Sequence, residues 1–348
     1  MSARVILHLP EQYHDSFRAK KHLALYPRIE AAVLARGGVV AIDGRPPALF
    51  SGKVQPSDGD LHIVENGRAI GSGWLNATLS YLEGYWHLDP AGVLAESSIR
   101  DKVFDPAQVD PVAARTYFDA LHTRFATARR SRYGQARGVQ DVPEGCIAVF
   151  LQGPAPQRRK HAYASYTAML RAVAEGAQGR PVVVKAHPLK PEMGAAQIAE
   201  VRAAGFDLIE TSANVHDILA RAAVTVSVNS AAALEGFLHG TPAILFGQAD
   251  FQQFCETVLH PDDFPAALHT ALTTKRDHPA ALYWYFGQHC LHLDAPDFEA
   301  RLWATFAKAG FDAARLGLHE GKDAADARIA QDQPAPHRNA QIDPEQGM

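Results

Sequence analysis

Residues 182–188 read VVVKAHP and residues 224–247 read VTVSVNSAAALEGFLHGTPAILFG. Each stretch begins with a short apolar run of strand length, and each run gives way to polar turn formers. The second stretch continues as a helix over residues 231–239 that stops at Gly240, and residues 243–246 supply the next strand. Strand, loop, helix and strand in succession predict a parallel sheet with helices on its faces. The ligand-bearing loops of such a sheet lie beyond the carboxyl ends of its strands.

The same alternation extends in both directions. Residues 146–151 predict a strand, 161–175 and 195–204 helices. Nearer the start, residues 4–9, 39–42 and 61–64 predict strands, with a helix over 22–36 that ends at Gly37-Gly38. Residues 111–127 predict a further helix, and the arginines at 129, 130, 132 and 137 that follow it are expected in a solvated linker or, alternatively, in contact with an anionic surface. Residues 282–291 and 298–306 are aromatic-rich and helical, suited to core packing or to closing one lobe against another. From residue 322 the chain is polar and predicts a frayed end. The expected organisation is an α/β protein of two Rossmann-like lobes facing a cleft. The lobes are 1–140 and 141–280, followed by closing helices over 281–310 and a flexible tail over 311–348.

With 348 residues, 47% of them hydrophobic, the chain can build two cores. Acidic side chains exceed basic ones by 38 to 34, which gives no reason to expect a nucleic-acid partner. The three cysteines, Cys146, Cys255 and Cys290, have the spacing of neither a disulfide framework nor a metal knuckle. The opening MSARVILHLP lacks a long apolar signal segment, and no run approaches the roughly 20 apolar residues that cross a bilayer. A cytoplasmic protein is expected, with docking at the inner face of the membrane still open to it. No complete P-loop, HExxH motif, GxSxG elbow or dinucleotide fingerprint occurs, and no metal or other cofactor is implied.

Two loops carry the donor-site expectation. Pro188 interrupts the strand that ends at Lys185 and can turn His187 into a cleft, where its imidazole would donate to a phosphate; a satisfied structural histidine is the alternative. Lys185 adds positive potential unless strand alternation sends it to solvent. Asn229 and Ser230 stand before the helix over 231–239, as a phosphate or carboxylate contact or as an ordinary cap. Glu235, inside that apolar helix, can accept from a ribose or a base. Gln152 and Gln157 lie in the proline-interrupted loop QGPAPQ and can read either the acceptor or the donor.

A separate stretch, TLSYLEGYWHLDPAGVLAESS over residues 78–98, is expected as a cleft-lining loop. It brings Glu83 and Asp89 close in sequence. A carboxylate there can form a glycosyl-enzyme intermediate or orient the loop through backbone hydrogen bonds. Asp89 is preferred because Pro90 and Gly92 shape the turn around it, and Glu83 is the other candidate. His87 can hold an acceptor or a donor carboxylate, or pack within the aromatic loop.

Taken in order, LEGYWHLDPAGVLAESS, AVFLQGPAPQ, VVVKAHP, SVNSAAALEGFLHGTPAILFG and LYWYFGQHCL resemble the capsular polysaccharide biosynthesis family that includes retaining β-Kdo transferases of the KpsC and KpsS kind. The resemblance spans about residues 70–295. It implies a GT-B-like enzyme that moves Kdo from CMP-Kdo to a capsular or related surface glycan or glycolipid, alongside capsule assembly proteins. It further implies that His187 and the Asn229-Ser230 region hold cytidine monophosphate, with Glu235 a nucleotide contact, and that an acidic residue of the EGY region or its following turn belongs to the reaction centre. EGY stands where some relatives have DGF, and HLDPAGV is a shorter connection, so Glu83 and Asp89 both stay open as the nucleophile. Two other readings accompany this one: a transferase using CMP-sialic acid or a UDP or GDP sugar, and a polysaccharide-binding scaffold without chemistry.

Overall fold

The computed structural model describes residues 2–319. The chain opens with β1 (Val5–His8), α1 (Leu25–Ala35), β2 (Val40–Asp43), β3 (Leu61–Glu65), β4 (Trp74–Leu79), β5 (Tyr85–Asp89) and α2 (Pro111–Leu121). Asp110 starts α2 by accepting from the Val112 and Ala113 amides, with Pro111 at the first helical position. A π-helical turn over His122–Thr127 extends it. There follow β6 (Cys146–Phe150), α3 (Ala155–Arg158), α4 (Tyr166–Glu175), β7 (Val182–Lys185), α5 (Pro191–Ala203), β8 (Ile209–Glu210) and α6 (Val215–Leu219). Next come β9 (Ala222–Ser227), α7 (Ala232–Phe237), β10 (Ala243–Leu245), β11 (Glu256–Thr257), α8 (Phe264–Thr273), α9 (His278–Leu282), β12 (Leu291–His292) and α10 (Phe298–Lys308).

These strands form two six-stranded sheets, ordered β12-β5-β4-β3-β1-β2 and β11-β10-β9-β6-β7-β8. The second sheet is parallel throughout. In the first, β5 runs antiparallel to both β4 and β12. The fold is the expected one: two α/β lobes, each sheet flanked by helices, with a cleft between them.

Alternation within buried strands explains why both faces of the second sheet are covered. Ile147, Val149, Val182, Val184, Val224 and Val226 pack on one face against α4 and α5, whereas Cys146, Ala148, Phe150 and Val183 pack on the other against α6. In the first lobe, Phe298, Leu302 and Phe306 recur every fourth residue along α10 and bury against β1 and β3. Each side chain buried in this way contributes about 1.5–3 kcal/mol. A third apolar cluster joins the lobes, setting Tyr81 and Leu82 against Leu234 and Phe237 of α7 and the aromatic turn over Tyr283–His289.

Four expectations change. Residues 78–89 are not loop: they end β4, turn, and return as β5. Both strands are buried on both faces, so no polar alternation marks them, and Gly84 supplies the left-handed residue of the turn (φ 92°). The helix expected from 161 begins at Tyr166, where the Ser165 hydroxyl accepts from the Ala168 amide. The helix expected through 291 stops at His289, and Leu291–His292 joins the first sheet instead. At the chain end, Phe311 and Leu316 are buried in the first lobe's core, so packed structure runs past residue 310. The rest of the expected tail lies outside the described residues.

Candidate functional site in the interlobe cleft

The parallel strands of both lobes end at one cleft of about 420 Å³. From the first lobe Asn66, Tyr81, Leu94 and Ala95 reach it. Asn66 directly follows β3 and, like Leu94, has a left-handed backbone (φ 52° and 54°). Such conformations disfavour side chains and persist where the surroundings hold them. Here the Asn66 amide donates to the Glu65 carboxylate, and the Thr78 hydroxyl donates to Asn66 at 2.5 Å.

From the second lobe come Gln152, Arg158, Arg159 and His161 after β6, His187 after β7, and Asn229 and Ser230 after β9. The structure thus brings together four of the residues read from the sequence: His187, Asn229, Ser230 and Gln152. Gln152 bridges two loops, donating to Asn229 Oδ1 at 3.0 Å and accepting from the Asn229 amide at 2.9 Å. The Ser230 hydroxyl accepts from the Ala232 amide at 3.2 Å, as a cap does. His187 Nδ1 accepts from the Leu189 amide at 3.2 Å, which places the proton of a neutral ring on Nε2. Burial, followed by the charge of Arg132, lowers the His187 pKa, so the neutral donor form prevails at pH 7.

The other sequence-derived residues stand elsewhere. Lys185 donates to the carbonyls of Ser212 and Ala213, at 3.2 and 2.5 Å, and Gln157 donates to Ala164. Glu235 is buried in α7 with Oε1 unpartnered; burial pushes its pKa up to about 7, partly offset by a hydrogen bond from Ser131. None of the three is among the residues that line the cleft.

Glu83 is on the surface, paired with Arg130 at 2.9 Å. Asp89 is buried at the end of β5, and its two oxygens accept from the amides of Ala91, Gly92 and Ser98 and from the Ser98 hydroxyl, the last at 2.6 Å. It lines a different cavity, described below. The acidic turn is therefore not gathered with His187 and Ser230. His87 is also buried; its Nε2 meets Ser80 and Tyr285, and Nδ1 is 3.8 Å from Asp250.

Asp89 instead pins the loop that carries Glu96. That carboxylate meets Arg68 at 3.0 Å, His161 at 3.5 Å and Arg159 at 3.6 Å. Burial pushes the Glu96 pKa up, but the hydrogen bond with His161 and the charges of Arg68, His161 and Arg159 outweigh it and hold the carboxyl below its usual range.

Sequence reading missed Asn66, Glu96, Arg158, Arg159 and His161 and assigned Arg132 to a linker. Arg132 and Tyr133 line the cleft, the Tyr133 ring edge-on to His187 at 5.1 Å. The signal was the run RRKH at residues 158–161, immediately beyond the loop that follows β6, where parallel sheets place ligand contacts. Among the described residues, Arg132 and Arg158 have no carboxylate at ion-pair distance. Two unpaired guanidinium groups and a histidine donor suit an anionic ligand. Among the described residues no group of three or more His, Cys, Asp or Glu is placed to hold a metal, and no helix is long and apolar enough to cross a membrane.

No family model and no curated protein matches the chain. Solved structures do. The β-Kdo 2,7 transferase of Thermosulfurimonas dismutans KpsC superposes with a TM-score of 0.54 at 12% identity, over 88% of this chain and 99% of that one. The β-Kdo 2,4 transferase of the same protein gives 0.46 at 14% identity, over 77% and 90%. The first likeness shows that the chain has the two-lobed GT-B-like fold.

Proposed function

We propose that this protein is a glycosyltransferase that takes a CMP-linked acid sugar, CMP-Kdo above all, and transfers the sugar to a capsular or related surface glycan or glycolipid. The observation that carries this reading is the convergence of His187, Arg132 and Arg158 on one interlobe cleft. A CMP-linked acid sugar brings two anionic groups, a phosphate and a carboxylate. Unpaired guanidinium groups hold such groups with charge-assisted hydrogen bonds. The resemblance of the sequence motifs to β-Kdo transferases and the GT-B-like fold support the same class.

In this reading His187 Nε2–H and Arg158 neutralise the charge that develops on the phosphate as CMP departs. A retaining transfer then needs a carboxylate at the anomeric carbon. Glu96 takes that place, because it is ionised and follows the cleft-lining Leu94 and Ala95, whereas Glu83 is on the surface and Asp89 lines a different cavity. Asp89 acts through the loop it pins. The carboxylate displaces CMP, which leaves with the bonding electron pair, and the acceptor hydroxyl then displaces the carboxylate. The acceptor hydroxyl gives up its proton to solvent as it attacks.

The test is a product assay. The purified protein is given CMP-Kdo, CMP-sialic acid, or a UDP or GDP sugar, with capsule glycolipid fragments as acceptors, and CMP release and the new linkage are measured. CMP release that requires the acid sugar and an acceptor is expected. Donor binding without turnover under every pairing would replace the transferase by a sugar-binding scaffold.

A further inference from the structure

The first lobe holds a second cavity, of about 310 Å³, bounded by the end of β5, the turn over Ser98–Lys102, the end of the aromatic turn at His289, and α10. Arg301 and Lys308 lie seven residues apart on α10 and so share the helix face that lines it. Lys102 faces them from the first-lobe turn, its Nζ 3.4 Å from His289 Nδ1. Among the described residues none of the three cations has a carboxylate at ion-pair distance. Asp89 is the acidic residue in the wall, and loop amides and the Ser98 hydroxyl occupy both its oxygens.

The positive potential registers on the histidine. Burial and then the charges of Lys102, Arg301 and Lys308 push the His289 pKa down to about 4. Arg301 spends one nitrogen on the Gly287 carbonyl at 2.6 Å, which fixes the guanidinium without neutralising it. Three like charges around one concavity repel one another, and a compact phosphate anion relieves that repulsion while accepting from all three. Leu88 and Ile99 give the cavity an apolar wall on which the carbon of an ester can rest.

We propose that this cavity is a binding site for a phosphate group, as inorganic phosphate or a phosphate monoester, separate from the interlobe cleft. Phosphate binding raises the pKa of His289, because the anion cancels the charges that hold the ring neutral.

The test follows the His289 Cε1–H resonance of the full-length chain at pH 6 during titration with inorganic phosphate. A saturable shift toward the protonated ring is expected. Lys102→Gln and Lys308→Gln, both at exposed positions, are each expected to weaken it about tenfold, the loss of one charge-assisted contact. Arg158→Ala in the cleft is expected to leave it unchanged. No saturable response of His289, or a response lost in Arg158→Ala and retained in the lysine variants, overturns the proposal. Co-sedimentation with phosphatidic acid vesicles but not phosphatidylcholine vesicles, abolished by the two lysine variants together, identifies the phosphate as a lipid headgroup. A His289 response without such co-sedimentation identifies a soluble phosphate ester.

Discussion

The Tyr81 hydroxyl, from the first lobe, donates to Asp250 of the second at 3.0 Å. Ser97 and Tyr285 complete the shell, each at 2.7 Å from the other carboxylate oxygen. A fully buried carboxylate is tolerable only with such partners, and here they come from both sides of the cleft. Because Tyr81 also lines the cleft, the contact that joins the lobes borders the proposed binding site.

Removing the carboxylate strands three hydroxyl donors in an apolar interface. Asp250→Ala is expected to destabilise the protein by about 3 kcal/mol or more, and Tyr81→Phe by about 1–2 kcal/mol. Urea unfolding followed by tyrosine fluorescence measures both; equal effects would show that the carboxylate does not organise the shell.

Asp89→Ala frees the loop amides at 91, 92 and 98 and with them the placement of Glu96. Loss of transfer and faster amide exchange across residues 91–98 are expected together, with CMP binding largely kept. Loss of transfer with unchanged exchange would give Asp89 a direct part in the chemistry.

Glu96→Gln keeps the shape of the side chain and removes the ionised oxygen. Transfer is expected to fall at least a hundredfold while donor binding holds. Unchanged turnover would exclude Glu96 as the nucleophile.

Donor anchoring is expected to separate from chemistry. His187→Ala and Arg158→Ala each remove a cleft donor and are expected to weaken CMP binding about tenfold, read by calorimetry. Lys185→Ala and Gln157→Ala, whose polar groups hold backbone carbonyls, are expected to leave it within about twofold.

Glu235 sets a pH dependence. Its folded pKa of about 7 lies above the ordinary value of 4.5, so the folded chain holds the proton more tightly than the unfolded chain. The stability linked to that proton is fully present below pH 4.5 and is lost as pH rises through 7. Glu235→Gln removes this loss. Relative to wild type, the variant is expected to gain about 3 kcal/mol between pH 4 and pH 8, measured by urea unfolding at each pH. A pH-independent difference would show that Glu235 does not titrate in this way.

The second lobe was the more legible half. Its central strands are short, mostly apolar runs followed by turn formers, and His187, Asn229 and Gln152 stand where parallel strands end. The β4–β5 pair was hidden because aromatic strands buried on both faces carry no period-two signal and read like a packed loop. The setting of Asp89 was hidden for a related reason. Asp89 sits in a sharply turned segment and invites a catalytic reading, but nothing local reveals that its oxygens close on the amides of its own turn. Arg132 and His187 are far apart in sequence, so only tertiary folding could move Arg132 from linker to cleft.

The return of β12 and α10 to the first sheet bears on how the chain is made. Phe298, Leu302 and Phe306 complete the core that Val5 and Leu7 begin. The lobe that leaves the ribosome first must wait, with part of its apolar interior uncovered, until the whole of the other lobe has been synthesised. Maturation of the amino-terminal half is thereby tied to the arrival of α10.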